Sequence, residues 1–143
     1  MKELAKKGKI SLNSILFKID VMFLTLNHQK LNVYIAARGF VLECYRFSKF
    51  LPQDERFNMI QQIRRAALSV HLNIAEGSSR KSEAERKRYS EIARGSIIEI
   101  DAALDICEAL EYCKKENLKS LGDSMQNVFA MLSKMIKTEH SAK

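Results

Sequence analysis

The chain has very little that would interrupt a helix. It holds one proline and five glycines in 143 residues. Its Val, Ile and Thr are not gathered into alternating apolar and polar runs. Both scarcities argue against a β-sheet and against a disordered chain, and the Ala-, Leu-, Glu-, Lys- and Arg-rich remainder argues for an all-α protein. No internal repeat and no low-complexity tract is visible, so solenoids and fibrous arrays are excluded. Catalytic signatures are missing too. There is no phosphate-cradling glycine loop and no Gly-x-Ser-x-Gly elbow. His28, His71 and His140 lack metal-ligand spacing, and without a Glu-x-x-His pair a di-iron bundle has no ligand set. Cys44, Cys107 and Cys113 are odd in number and form no Cys-x-x-Cys pair. They read as reduced, partly buried thiols of a cytoplasmic protein. The expectation is a non-enzymatic protein without metal or cofactor.

What is present is helical periodicity. At this length a single ordinary domain can bury a core. From Asn27 onward the apolar residues recur at helical spacing in four blocks. Asn27 is placed to cap the first, whose stripe runs from Leu31 through Val41 to Phe47 and on to about Phe50. Pro52 breaks the pattern, and Asp54 and Glu55 suit the positive end of the next helix. The second block ends at Glu76, with Gly77 as its carboxyl-terminal cap. Ser82 and Glu85 have the form of a capping box opening the third block. That block runs to Leu110, with Lys114 and Lys115 at its carboxyl end. Asn117 is placed to cap the fourth, which carries Leu121, Met125, Val128, Leu132 and Ile136. Short connections between long helices predict an up-down-up-down antiparallel four-helix bundle over residues 28–143.

Residues 1–27 stand apart as an N-terminal extension. Lys2, Lys6, Lys7 and Lys9 precede an apolar run from Ile10 to Leu26. The outline resembles a signal peptide, but Lys18 and Asp20 interrupt the run and no small-x-small cleavage site follows. The run is also short for a membrane span. Two readings remain open: an additional helix that packs on the domain or in an oligomer contact, or a translation start at Met22.

Two constellations bear on function. The first is a polar line on the second helix. Gln62, Arg65, Ser69, Asn73 and Glu76 step by three or four and share one stripe beside the apolar Ile63, Ala66, Ala67, Val70 and Ile74. On the third helix Ser96 and Glu99 interrupt an apolar stripe, and Gly95 would let another backbone approach. The expectation is a hydrogen-bonded seam inside the bundle or between subunits. Ser69 should lie near Ala93 to Ser96, and Arg64 or Arg65 should pair with Glu99.

The second constellation is charge. The formal net charge is +7. Five lysines against Glu3 and Asp20 give residues 1–27 a net +3, leaving +4 for the domain. Arg80, Lys81, Arg86, Lys87 and Arg88 cluster at the turn between the second and third helices, with Arg56, Arg64 and Arg65 adding to that end or flank. Residues 95–113 carry Glu99, Asp101, Asp105, Glu108 and Glu111 with no base. A basic cluster of this kind contacts phosphates electrostatically, and Tyr89 alone among nearby aromatics could stack on a base. The five clustered residues are therefore the candidate site for RNA or DNA. A protein–protein adaptor or scaffold without nucleic acid is the alternative.

Several of these segments together resemble a known family. They are Phe50-Leu51-Pro52 with Glu55, then Gln62 with Arg64-Arg65-Ala66-Ala67 and Ser69-Val70. Asn73-Ile74-Ala75-Glu76-Gly77 and Ala93-Arg94-Gly95-Ser96 with Glu99 follow. They look like the bacterial four-helix bundle proteins first described as products of intervening sequences in 23S ribosomal RNA genes. The accessory variability determinant of diversity-generating retroelements is similar to that family. The resemblance covers roughly residues 30–138, and residues 1–27 fall outside it. Leu51 stands where the family often has Phe. The resemblance implies an up-down bundle assembled as a homopentamer. It also implies, more weakly, a role in binding RNA or a nucleic-acid enzyme through a basic surface; the short, charge-interrupted run before Asn27 argues separately for no membrane contact.

Overall fold

The computed structural model describes residues 22–138, so both readings of the N-terminal extension fall on residues that are largely outside the description. Within it are four α-helices: α1 (Asn32–Ser48), α2 (Met59–Ser78), α3 (Glu83–Ala109) and α4 (Lys119–Thr138). Short 3-10 turns at Asn27–Lys30, Gln53–Glu55 and Lys115–Leu118 lead into α1, α2 and α4. There is no strand among the described residues. The all-α reading holds.

Each helix packs on its neighbour in chain order, and α4 returns to α1. Side-chain pairs give the directions. Tyr34 meets His71 while Ser48 meets Arg64, so α1 and α2 run opposite ways. Gln62 meets Glu99, Ser69 meets Ser96 and Glu76 meets Tyr89, so α2 and α3 do too. One continuous core lies between the four helices. Ala37, Phe40, Cys44, Ile63, Val70, Ile97, Ile100, Val128 and Leu132 are almost wholly inaccessible in it. Each of these comes from an apolar stripe at 3.6-residue spacing, and burying them is what holds the four segments together. Burial pushes the Cys44 thiol pKa up to about 12 and that of Cys107 up to about 11. Both are packing groups.

The helix ends are where the sequence reading needs correction. Asn27 does not cap α1. It opens the 3-10 turn, which closes with the Leu31 N–H donating to His28 O at 3.0 Å, and α1 begins at Asn32 without a side-chain cap. The buried His28 ring packs edge-on against Tyr34 and draws the chain into this detour. Asp54 and Glu55 belong to a separate turn, yet Glu55 still serves α2: its Oε2 accepts from the Met59 N–H at 3.3 Å. Gly77 is not a cap. It lies inside α2, where a Cβ would stand 2.7 Å from Tyr89 Cβ. Its role is to let α3 approach. The capping box at α3 forms as expected, with Ser82 Oγ accepting from the Glu85 N–H at 3.1 Å.

At its far end α3 stops at Ala109, and its last turn has no basic residue. Glu111 takes φ 60°, and the Tyr112 N–H reaches back to Cys107 O at 2.9 Å. This left-handed closure ends the helix before Lys114 and Lys115 can meet its carbonyls. Asn117 sits within the third 3-10 turn and caps nothing.

Candidate nucleic-acid interface

The five basic residues do come together at the α2–α3 turn, but they do different things. Arg80 is held inside the turn. Its Nη2 donates to Glu76 Oε1 at 2.6 Å and to Tyr89 OH at 3.0 Å, and its guanidinium lies 5.0 Å from the Tyr89 ring centroid. The hydrogen bond to Glu76 raises its pKa above the ordinary arginine value. Tyr89 OH in turn donates to Glu76 Oε1 at 3.2 Å. Arg86 is also occupied. Its Nη1 donates to Arg80 O at 3.1 Å and to Lys81 O at 2.6 Å, so it ties down carbonyls of the turn itself. Ser78 and Ser79 hydroxyls donate to two carbonyls in the last turn of α2, Ala75 O and Glu76 O.

Of the other three, Lys81 and Arg88 are exposed, and Lys87 is half-buried with its Nζ 4.0 Å from Glu91 Oε1. The turn is thus a mount, built by Glu76, Arg80, Arg86 and Tyr89, that presents Lys81 and Arg88, with Lys87 beside Glu91. Ammonium and guanidinium groups in this arrangement supply point charges for phosphate oxygens. Arg56, Arg64 and Arg65 do not join them. They lie near the opposite end of α2, 15 or more residues away, which is over 20 Å along a helix. Arg64 is committed there: its Nε donates to the buried Ser48 Oγ at 2.8 Å and its guanidinium stacks 5.1 Å from the Tyr45 ring.

The polar line lies on the outside of the α2–α3 pair. Gln62, Arg65, Ser69, Ser96 and Glu99 border an open groove of about 540 Å³. Ser69 and Ser96 hydroxyls stand 2.8 Å apart, as the register predicts. The Glu99 partner is not an arginine: Gln62 Nε2 donates to Glu99 Oε2 at 3.2 Å. Arg64 points toward α1, and Arg65 lines the groove without reaching Glu99. Asn73 bonds within its own helix, to Ser69 O at 2.8 Å and Ser69 Oγ at 3.1 Å. Gly95 differs from its expectation. A Cβ there would meet nothing within 4 Å, so among the described residues no backbone needs the space. Exposed Leu68, Leu72 and Ile92 belong to the same pair of helices.

One cluster carried no sequence signal. His71 stacks on Tyr34 at 4.2 Å between ring centroids, and Tyr34 packs against His28 at 4.8 Å. Burial, then the nearby Arg38 and His28, lower the His71 pKa to about 4. The three residues come from a turn and two helices, so no local spacing links them.

An antiparallel four-helix bundle with a basic inter-helix turn and an open polar groove is the class that this geometry defines. The model of the family described as 23S rRNA-intervening sequence protein matches residues 29–134. The chain belongs to that family. Among solved structures it is similar to a protein of unknown function from the S23 ribosomal protein family of Bacteroides thetaiotaomicron VPI-5482. The two share 25% identity at a TM-score of 0.67, over 73% of this chain and 95% of that one. No curated protein matches. Among the described residues no helix is long and apolar enough to cross a membrane.

Proposed function

We propose that this protein is a non-enzymatic, cytoplasmic homo-oligomer that binds RNA or DNA electrostatically through the α2–α3 turn. The observation that carries the reading is the segregation of charge along α3. Arg86, Lys87 and Arg88 lie in its first two turns against Glu83 and Glu85, while Glu99, Asp101, Asp105 and Glu108 occupy its second half with no base. A polyanion is attracted to one end of the bundle and repelled from the other. Repetition of the turn around a homopentamer, the assembly that the family resemblance implies, multiplies a modest patch into a ring. The ring also fits a nucleic-acid enzyme carrying its own nucleic acid.

The test is retardation of RNA and duplex DNA at low salt. Lys81→Glu, Lys87→Glu and Arg88→Glu together abolish it while leaving the mount intact. If Z phosphates are contacted, log K falls with log salt at a slope of about −0.9Z on duplex and about −0.7Z on single strands. Undiminished retardation by the triple variant sinks the assigned patch.

A second reading has its own support. Gly95 faces open space and lines the groove with exposed Ile92, which suits close contact with another subunit or a partner protein. An adaptor or scaffold built on that face forms a stable oligomer in sedimentation yet retains no nucleic acid at physiological salt.

A further inference from the structure

A larger groove lies between the second half of α3 and the start of α4. It is open, with a volume of about 830 Å³. Asp101, Asp105 and Glu108 step by four and three along its α3 rim, a line of carboxylates about 10 Å long. Glu116 in the connection and Asp123 on α4 add two more. Lys115 and Lys119 also line the groove, and Lys119 is paired with Asp123 at 2.8 Å. Among the described residues no cation lies in ion-pair range of the three α3 carboxylates. The floor is apolar, with Leu104, Leu118, Met125 and an exposed Ile98. Gly122 lines it as well, and a Cβ there would meet nothing within 4 Å. Each of these features weakens the bundle taken alone. Like charges three and four residues apart repel along a helix. A glycine loosens a helix interior relative to alanine, and Ile98 leaves apolar surface in water. An occupant with an apolar face flanked by cations offsets all three.

We propose that this groove is the docking site of a basic amphipathic helix of a partner protein. Charge complementarity sets the sign of the occupant. Five carboxylates against two lysines leave the lining at −3, which attracts a cationic segment and repels nucleic acid. The spacing sets its form. A helix laid along α3 repeats the step of four and three, so its cations at i, i+4 and i+7 meet Asp101, Asp105 and Glu108. Apolar side chains on the adjoining stripe of that helix then reach the floor, with open space above Gly122 to receive one of them. On α3 the lining runs from residue 98 to residue 108, about 15 Å, which is about three turns of helix. The basic turn of a second copy matches the charge but not the floor, because residues 78–88 contain no large apolar side chain. The groove shares no residue with the α2–α3 turn, so the inference does not rest on the nucleic-acid reading.

The probe is a synthetic, fluorescein-labelled helix of about 14 residues, with leucines at i, i+3 and i+7 and lysines on both flanks. Fluorescence anisotropy with the full chain follows its binding. The peptide binds at low salt and weakens as salt rises. A scrambled peptide keeps the charge but loses the apolar stripe, and it binds about tenfold more weakly. Gly122→Leu occupies the floor without changing charge and also costs about tenfold. Asp101→Lys, Asp105→Lys and Glu108→Lys together cost about tenfold, the effect expected of three exposed charge pairs. A peptide with glutamates in place of the lysines binds that reversed variant and not the original chain. Lys81→Glu, Lys87→Glu and Arg88→Glu do not weaken the lysine peptide. The Asp101, Asp105 and Glu108 side chains are exposed, and an unchanged helical circular dichroism spectrum confirms that the groove variants fold. No binding of the lysine peptide, equal binding of the scrambled one, or affinity that survives either groove change overturns the proposal. Dissociation of a homo-oligomer by the rim reversal, seen in sedimentation, assigns the groove to a second copy and overturns it too.

Discussion

Gly77 and Gly95 are both helical glycines on the α2–α3 pair, yet their replacement by alanine should have opposite effects. At Gly95 the new methyl meets nothing within 4 Å. The substitution then shows helix propensity alone, a gain of about 1 kcal/mol. At Gly77 the same methyl would stand 2.7 Å from Tyr89 Cβ, against 3.4 Å for ordinary contact. The obstacle is a Cβ fixed to the backbone, so no rotamer change relieves it. The helices must separate locally by about 0.7 Å, and overpacking of this kind costs typically about 1–3 kcal/mol. Setting the propensity gain against this leaves Gly77→Ala destabilised by about 0–2 kcal/mol, and the two variants differ by about 1–3 kcal/mol. For a chain of this length a difference of about 2 kcal/mol separates melting midpoints by roughly 6–10 °C. The assay is thermal and urea unfolding of both variants at one low protein concentration, since association would shift the midpoints. A Gly77→Ala protein as stable as Gly95→Ala would refute the close-approach explanation.

Two further predictions concern buried polar groups. The folded-state pKa of His71, about 4, lies below its unfolded value near 6.5. The unfolded chain therefore binds more protons between those values, and stability falls as pH drops from about 6.5 to 4. Allowing for partial exposure, the loss is about 2 kcal/mol, measured by urea unfolding across that range. His71→Gln should flatten the profile, and an unchanged profile would contradict the assignment. Ser48 is fully buried and accepts from Arg64 Nε while donating to Tyr45 O. Ser48→Ala leaves the guanidinium without that acceptor and should destabilise by about 1–3 kcal/mol. A loss under about 0.5 kcal/mol would show that water replaces the hydroxyl.

How far the sequence carries depends on whether a feature is local. The capping box at Ser82 and the four apolar stripes are local, because each is a statement about residues three or four apart on one helix. They specify an all-α bundle before any contact is known. The Ser69–Ser96 contact also follows from sequence, since a short turn between two helices sets the register. The grouping of Arg80, Lys81, Arg86, Lys87 and Arg88 is local as well. Its division into two residues that hold the turn, a half-buried Lys87 beside Glu91 and two exposed residues is not, because that depends on where Glu76, Tyr89, Glu91 and the carbonyls of the turn lie in space. Tertiary packing alone made Gly77 a point of close approach and left Gly95 facing open groove. It turned Arg64 toward Ser48, where Glu99 had been the expected partner. It also joined His28, Tyr34 and His71 into one stack. Helical periodicity is written in the chain because it repeats along one axis; partner choice is not, because it is settled by which surfaces the axes bring together.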